Sequence, residues 1–229
     1  MKIQICVFDA YGTLFDVGAA VRDAAREEAY AALAEQGAAI AETWRQKQLG
    51  YSWLRAGYGC HTDFWTVTSQ ALDYALEAHG FGGDEDLRAR LLQLYWELSP
   101  YDEVQRVLQA LKAAGMRLAI LSNGAPDMLE AAVESAKLGE VFDAILSAEQ
   151  VGVFKPAPAV YELVEQSFGV ARREVLFVSS NGWDACCATG FGFRTLWVNR
   201  QGEPLDRMPW RPEFVAETLT RLPKTVETL

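Results

Sequence analysis

Residues 3–8 form a short apolar run that stops at Asp9 and gives way to a glycine turn at Gly12. A run of this length is what a strand buried in a parallel sheet presents. The pattern then changes abruptly. Residues 17–98 carry Ala-rich and charged segments with helical spacing and little strand character. Within them residues 40–54 predict a helix, with Trp44, Gln48, Tyr51 and Ser52 on one face and Arg45, Leu49 and Trp53 on its neighbour. Gly57-Tyr58-Gly59 ends that helix, and Asp63-Phe64-Trp65 opens another. Ser99-Pro100 punctuates the return to alternating elements: a helix over 104–114 closed by Gly115, then strands at 116–121, 144–146, 175–178 and 195–198, with helices between. Strands alternating with helices imply βαβ units and a parallel sheet. The expected architecture is α/β, a Rossmann-like parallel-sheet core of residues 1–16 and 99–229 with a helical cap of residues 17–98 inserted after the first strand. No internal repeat interrupts it.

Polar groups cluster where those strands end. Asp9 and Thr13 follow the first strand, Ser122-Asn123-Gly124 the second, and Ser179-Ser180-Asn181-Gly182-Trp183-Asp184 the strand over 175–178; Lys155-Pro156 precedes the helix that holds Tyr161. Ligands of open α/β sheets gather at the carboxyl ends of the strands, so Asp9 is aimed into a crevice. Each piece alone has a plainer meaning. Asp9 and Asp184 fit turn or helix caps, Ser122-Asn123-Gly124 is good turn chemistry, and Lys155 reads as a solvated loop lysine. Four such pieces on one sheet edge, in this order, are not explained by turns alone.

Composition narrows the class. The chain has 229 residues, half of them hydrophobic, enough for one large domain or a core with a smaller insertion. Its formal net charge of −10 argues against nucleic acid or an acidic membrane as partner. No apolar stretch approaches a membrane span and no leader-like segment opens the chain, so a cytoplasmic protein is expected. Cys6, Cys60, Cys186 and Cys187 lack zinc-site or disulfide spacing; Cys6 reads as core and Cys186-Cys187 as buried helix residues. His61 and His79 stand apart, and no metal role is assigned to them.

The stretch Asp9-Ala10-Tyr11-Gly12-Thr13, with the other three strand-end groups, resembles the haloacid dehalogenase superfamily. Its phosphatases carry a second aspartate two residues after the nucleophile. Here that residue is Tyr11, whose phenol titrates near about 10 and serves neither as a carboxylate acid/base nor as a hard-cation ligand at neutral pH. The stretch Thr43-Trp44-Arg45-Gln46-Lys47-Gln48-Leu49-Gly50-Tyr51-Ser52-Trp53-Leu54, with Asp63-Phe64-Trp65 and the aromatic Trp183 before Asp184, resembles one branch, the L-2-haloacid dehalogenases. The likeness runs nearly end to end.

The resemblance implies a metal-free, cofactor-free hydrolase that acts on a short 2-haloacid and water. Asp9 attacks the halogen-bearing Cα and forms an ester, with inversion. Lys155 holds Asp9 in its anionic form. Thr13 and the amides around Ser122 and Asn123 orient the substrate carboxylate, and Tyr11 and Gln46 add substrate contacts. Leu49 and Phe64 wall off water. Arg45, Asn123 and the edge of Trp183 receive the halide. Asp184 prepares the water that attacks the ester, held by Ser179 and Asn181, while Tyr161 supports Lys155 or the substrate. A homodimer is expected by resemblance alone. Three rivals remain: a ring-opening hydrolase of a strained 2-carboxylate such as azetidine-2-carboxylate, a Mg²⁺-dependent phosphatase of the same fold, and a binding protein on an inactive scaffold.

Overall fold

A computed structural model describes residues 2–229. Its first strand, β1 (Ile5–Phe8), is buried at all four positions and lies near the middle of a parallel sheet. The other strands are β2 (Arg117–Ser122), β3 (Ala144–Ser147), β4 (Val175–Ser179), β5 (Arg194–Val198) and β6 (Phe214–Ala216), in the order β3-β2-β1-β4-β5-β6. β1 and β4 are apolar on both faces because both faces are covered. The register sets the site. Phe8 pairs with Ile120 on one side and Val178 on the other, so β1, β2 and β4 reach one edge together.

Between β1 and β2 the chain makes α1 (Ala19–Ala24), α2 (Leu33–Tyr58), α3 (Phe64–Ala78), α4 (Glu85–Trp96) and α5 (Val104–Ala113). The first four form the cap. Leaving and returning chains pair where Phe15 bridges Pro100, with Asp16 N–H donating to Ser99 and Tyr101 N–H to the Leu14 carbonyl. α2 begins seven residues before the expected 40, at Leu33, and runs through Gly37. A side chain at Gly37 would press on Val21 of α1, so the glycine lets the two helices approach closely. The helix stops where expected, at Gly59 in the left-handed region.

α3 places Phe64, Val67, Thr68, Ala71, Leu72, Ala75 and Leu76 on one buried face and packs along α2. Downstream, α6 (Pro126–Ser135), α7 (Pro158–Phe168), α8 (Gly182–Phe191) and α9 (Leu222–Glu227) complete the core. β6 was not expected. Three residues are too few to show a period, and its middle residue Val215 faces solvent.

Candidate active site

Asp9 leaves β1 at the centre of the sheet edge, its own N–H bonded to the Val178 carbonyl at 2.9 Å. The chain turns sharply at Gly12, with φ +89°, where a side chain would also meet the Ser180 hydroxyl. That turn brings Thr13 back on Asp9. Thr13 Oγ1 donates to Asp9 Oδ2 at 3.0 Å and accepts from the Ser180 N–H at 2.8 Å. The Asn181 amide donates to the same Oδ2 at 2.9 Å. Oδ1 takes one donor, the Lys155 ammonium at 2.9 Å.

Lys155 comes from the loop before α7 and is 1 % exposed. Its Nζ also donates to Asp184 Oδ2 at 2.7 Å, so one ammonium joins two carboxylates. Asp184 sits in the first turn of α8, capped at Asn181 rather than at Asp184 itself. It further accepts from Ser179 Oγ at 3.2 Å and, on Oδ1, from the Tyr161 phenol at 2.6 Å. Burial opposes charge on Lys155, but Asp184 and Asp9 outweigh it and hold the ammonium above its ordinary 10.5. One cation cannot neutralise two anions. The wholly buried one bears the consequence: burial, with the charge of Asp9 adding, pushes Asp184 above its ordinary 3.8 against the pull of Lys155. Burial likewise pushes Tyr161 well above 10.0 and keeps it a donor.

Asp9, Lys155, Ser122, Asn123, Asn181 and Trp183 of the core meet Arg45, Leu49 and Phe64 of the cap, with Tyr11 between, around one narrow cavity. It measures about 10 Å³, room for about one water. Tyr11 is packed between Phe64 and Tyr95, ring centroids 6.0 and 5.6 Å away, and Gly124 leaves no room for a side chain against it. Arg45 crosses from cap to core, donating to the Tyr11 carbonyl and to Asn181 Oδ1, each at 3.1 Å. Asn123 Oδ1 accepts from the Lys155 N–H at 2.8 Å, which leaves its amide nitrogen for the cavity. The Trp183 indole N–H is buried with no acceptor. Trp53 of α2 closes over Trp183 edge to face.

Several expected roles change. Thr13 does not line the cavity; wholly buried, it orients Asp9 rather than a substrate carboxylate. Tyr161 makes no hydrogen bond to Lys155 and does not line the cavity; its hydroxyl is spent on Asp184. Gln46 lies outside, bonded to Glu42, since it is turned about 100° from Arg45 on α2. The Asn181 side chain holds Asp9 and Arg45, and only its backbone touches Asp184. The sequence reading missed Glu149, which accepts the Phe64 N–H at 2.9 Å, and Arg200, which donates to the Thr13 carbonyl at 2.9 Å and pairs with Glu103. Neither residue sits in a motif.

Among the described residues no three His, Cys, Asp or Glu side chains group to hold a metal ion, and no helix is long and apolar enough to cross a membrane. Cys6 and Cys186 are buried, and burial pushes the Cys6 thiol up to about 12. The arrangement can therefore do nucleophilic chemistry. A buried carboxylate fixed by a cation faces a small pocket with N–H donors left over for an anion.

Residues 3–190 match the family model for haloacid dehalogenase-like hydrolases. An (S)-2-haloacid dehalogenase of Xanthobacter autotrophicus is 50 % identical over 86 % of this chain and 76 % of its own. (S)-2-haloacid dehalogenase 1 of a Pseudomonas species (strain CBS-3) is 42 % identical over 97 % of this chain and 96 % of its own. The solved structure of L-2-haloacid dehalogenase from Xanthobacter autotrophicus with chloropropionic acid covalently bound superposes with a TM-score of 0.90, at 41 % identity and full coverage of both chains.

Proposed function

The chain belongs to the haloacid dehalogenase-like hydrolases, among the L-2-haloacid dehalogenases, and from that membership we propose that it hydrolyses short L-2-haloacids to 2-hydroxy acids with inversion at Cα. One observation carries the reading. A single cavity is lined by Asp9, Arg45, Asn123, whose amide nitrogen is not used in holding Lys155, and Trp183, whose N–H is buried without an acceptor. A nucleophile and an anion receiver share one small space, which is what displacement of a halide from carbon requires.

Asp9 Oδ1, with one donor against two on Oδ2, is the freer oxygen to attack. It bonds to Cα as the carbon–halogen bond breaks, and the halide leaves with the bonding pair toward Arg45, Asn123 and Trp183. Ser122 and the neighbouring backbone amides take the substrate carboxylate, and Leu49, Phe64 and Tyr11 exclude solvent. Water then attacks the ester carbonyl of Asp9. Asp184 takes the proton: its raised pKa makes it a stronger base than a free aspartate, and Oδ1 accepts only from Tyr161. Lys155, Ser179 and Tyr161 hold that base. Tyr11 stands where the phosphatases carry their second aspartate, so the reading assigns no metal a step.

The test is chloride release from L- and D-2-chloropropionate with EDTA present. The L isomer should release chloride and yield the D-hydroxy acid. Release that depends on added Mg²⁺, or none from either isomer, overturns the reading. The same reading includes a cytoplasmic homodimer, checked by sedimentation equilibrium.

A further inference from the structure

Gln48 is 1 % exposed in the middle of α2. A buried amide is costly unless its donors and acceptors are all met, and here they are. Nε2 donates to Thr68 Oγ1 at 2.7 Å and to the Tyr95 hydroxyl at 3.0 Å. Oε1 accepts from Arg45 at 2.8 Å, one turn back on the same helix. Thr68 is itself fixed, donating to the Phe64 carbonyl at 2.7 Å, and the Trp44 N–H binds the Thr68 carbonyl at 2.9 Å. The cap thus buries a polar network that ends on one guanidinium.

Behind Arg45 lies a second small cavity of about 10 Å³, lined by Val17, Ala41, Trp44, Gln48 and Tyr95. Arg45 is the wall between this space and the catalytic cavity. Its remaining bonds, to the Tyr11 carbonyl and Asn181, belong to the core. Gln48 is therefore its anchor within the cap, and it is a neutral one. A glutamate there would pair with the guanidinium and cancel charge; the amide fixes position and leaves the charge for an anion.

We propose, on the dehalogenase reading above, that Gln48 is a positioning residue: clasped by Thr68 and Tyr95, it holds Arg45 forward to receive the halide. It therefore governs carbon–halogen cleavage and not hydrolysis of the ester. In the first step Asp9 bonds to Cα while the halide departs with its electron pair. In the second, water attacks the ester carbonyl and the hydroxy acid leaves. Only the first needs Arg45 in place.

The experiment times the two steps apart with L-2-chloropropionate. Adduct formation is followed by intact-protein mass spectrometry in Asp184→Asn, with and without Gln48→Met. The double variant should form adduct about tenfold more slowly or worse, the loss expected from one hydrogen bond to a charged group. With Asp184 intact, Gln48→Met should weaken inhibition by chloride by a similar factor, while a preformed adduct hydrolyses at the wild-type rate. Thr68→Val, nearly isosteric and not touching Arg45, should show the same selective loss, and it carries the test if Gln48→Met does not fold. Unchanged adduct formation, or equal slowing of both steps, overturns the positioning role. No adduct on Asp184→Asn alone overturns the dehalogenase reading, and this inference with it.

Discussion

Asp9 and Asp184 share one ammonium, yet their other partners give them different duties. Asp9 is pinned by Thr13, Asn181 and Lys155 with one oxygen less engaged, as suits a nucleophile. Asp9→Asn should abolish halide release, and single turnover in ¹⁸O-water should label Asp9 before product; label appearing directly in the product would mean that water attacked Cα. Asp184→Asn should let the ester form but slow its hydrolysis about a hundred- to ten-thousandfold, the usual worth of a positioned base. Arg45→Ala should instead show little or no adduct, and the reverse pattern would exchange the two roles. Asp9, Lys155 and Asp184 were legible because strand ends converge on one edge whatever the details of packing. The duties of Gln46 and Gln48 were not, since which face of a cap helix meets the core depends on how the two dock, and that of Tyr161 was not, because it rests on how α7 packs beside α8 within the core.

At the scale of elements, α3 is held from both sides. Its own Asp63 accepts the Thr66 N–H at 2.7 Å, and Glu149 from the core accepts the Phe64 N–H. Removing the cap with Asp63→Ala should cost about 0.5–2 kcal/mol, read as a lower urea midpoint. Burial alone would raise the Asp63 pKa, but the hydroxyl and backbone N–H of Thr66 bring it below the ordinary 3.8. A depressed carboxyl stabilises above its unfolded value and loses that contribution as pH falls through the folded one. The gap between wild type and Asp63→Ala should therefore close in acid below pH 3.8; a gap that stays constant refutes the ionic part of the cap. The Asp63 signal was readable because capping is local. Glu149 was not, lying 85 residues from the amide that it serves.

For the whole molecule, the buried site sets an alkaline limit. Burial raises Tyr11 and Tyr161 above 10.0, and Lys155 is held above 10.5 by its carboxylates despite burial. In each case the folded state keeps a proton that the unfolded chain releases. Stability is thus full below these ordinary values and falls as pH rises past them. Melting temperature should begin to fall from about pH 9, where the unfolded chain releases the Cys6 proton, and more steeply from about pH 10, and the drop should be shallower in Tyr161→Phe, measured against its own neutral-pH value. The parallel core and the helical insertion could both be read from pattern; β6 could not, because a three-residue strand is defined by its neighbour rather than by its own sequence. One arrangement reaches beyond the finished molecule. β1 precedes every other strand of the sheet yet sits between β2 and β4, and Asp9 must find partners 146 and 172 residues further on. On a ribosome the nucleophile emerges well before those partners and waits for them, with the helical cap synthesised in between. Such distant pairing slows folding and leaves an apolar strand open to wrong partners meanwhile. Chains arrested before β4 should remain sensitive to protease around β1 and bind chaperones, and protection should arrive only once residues 175–191 have cleared the exit tunnel.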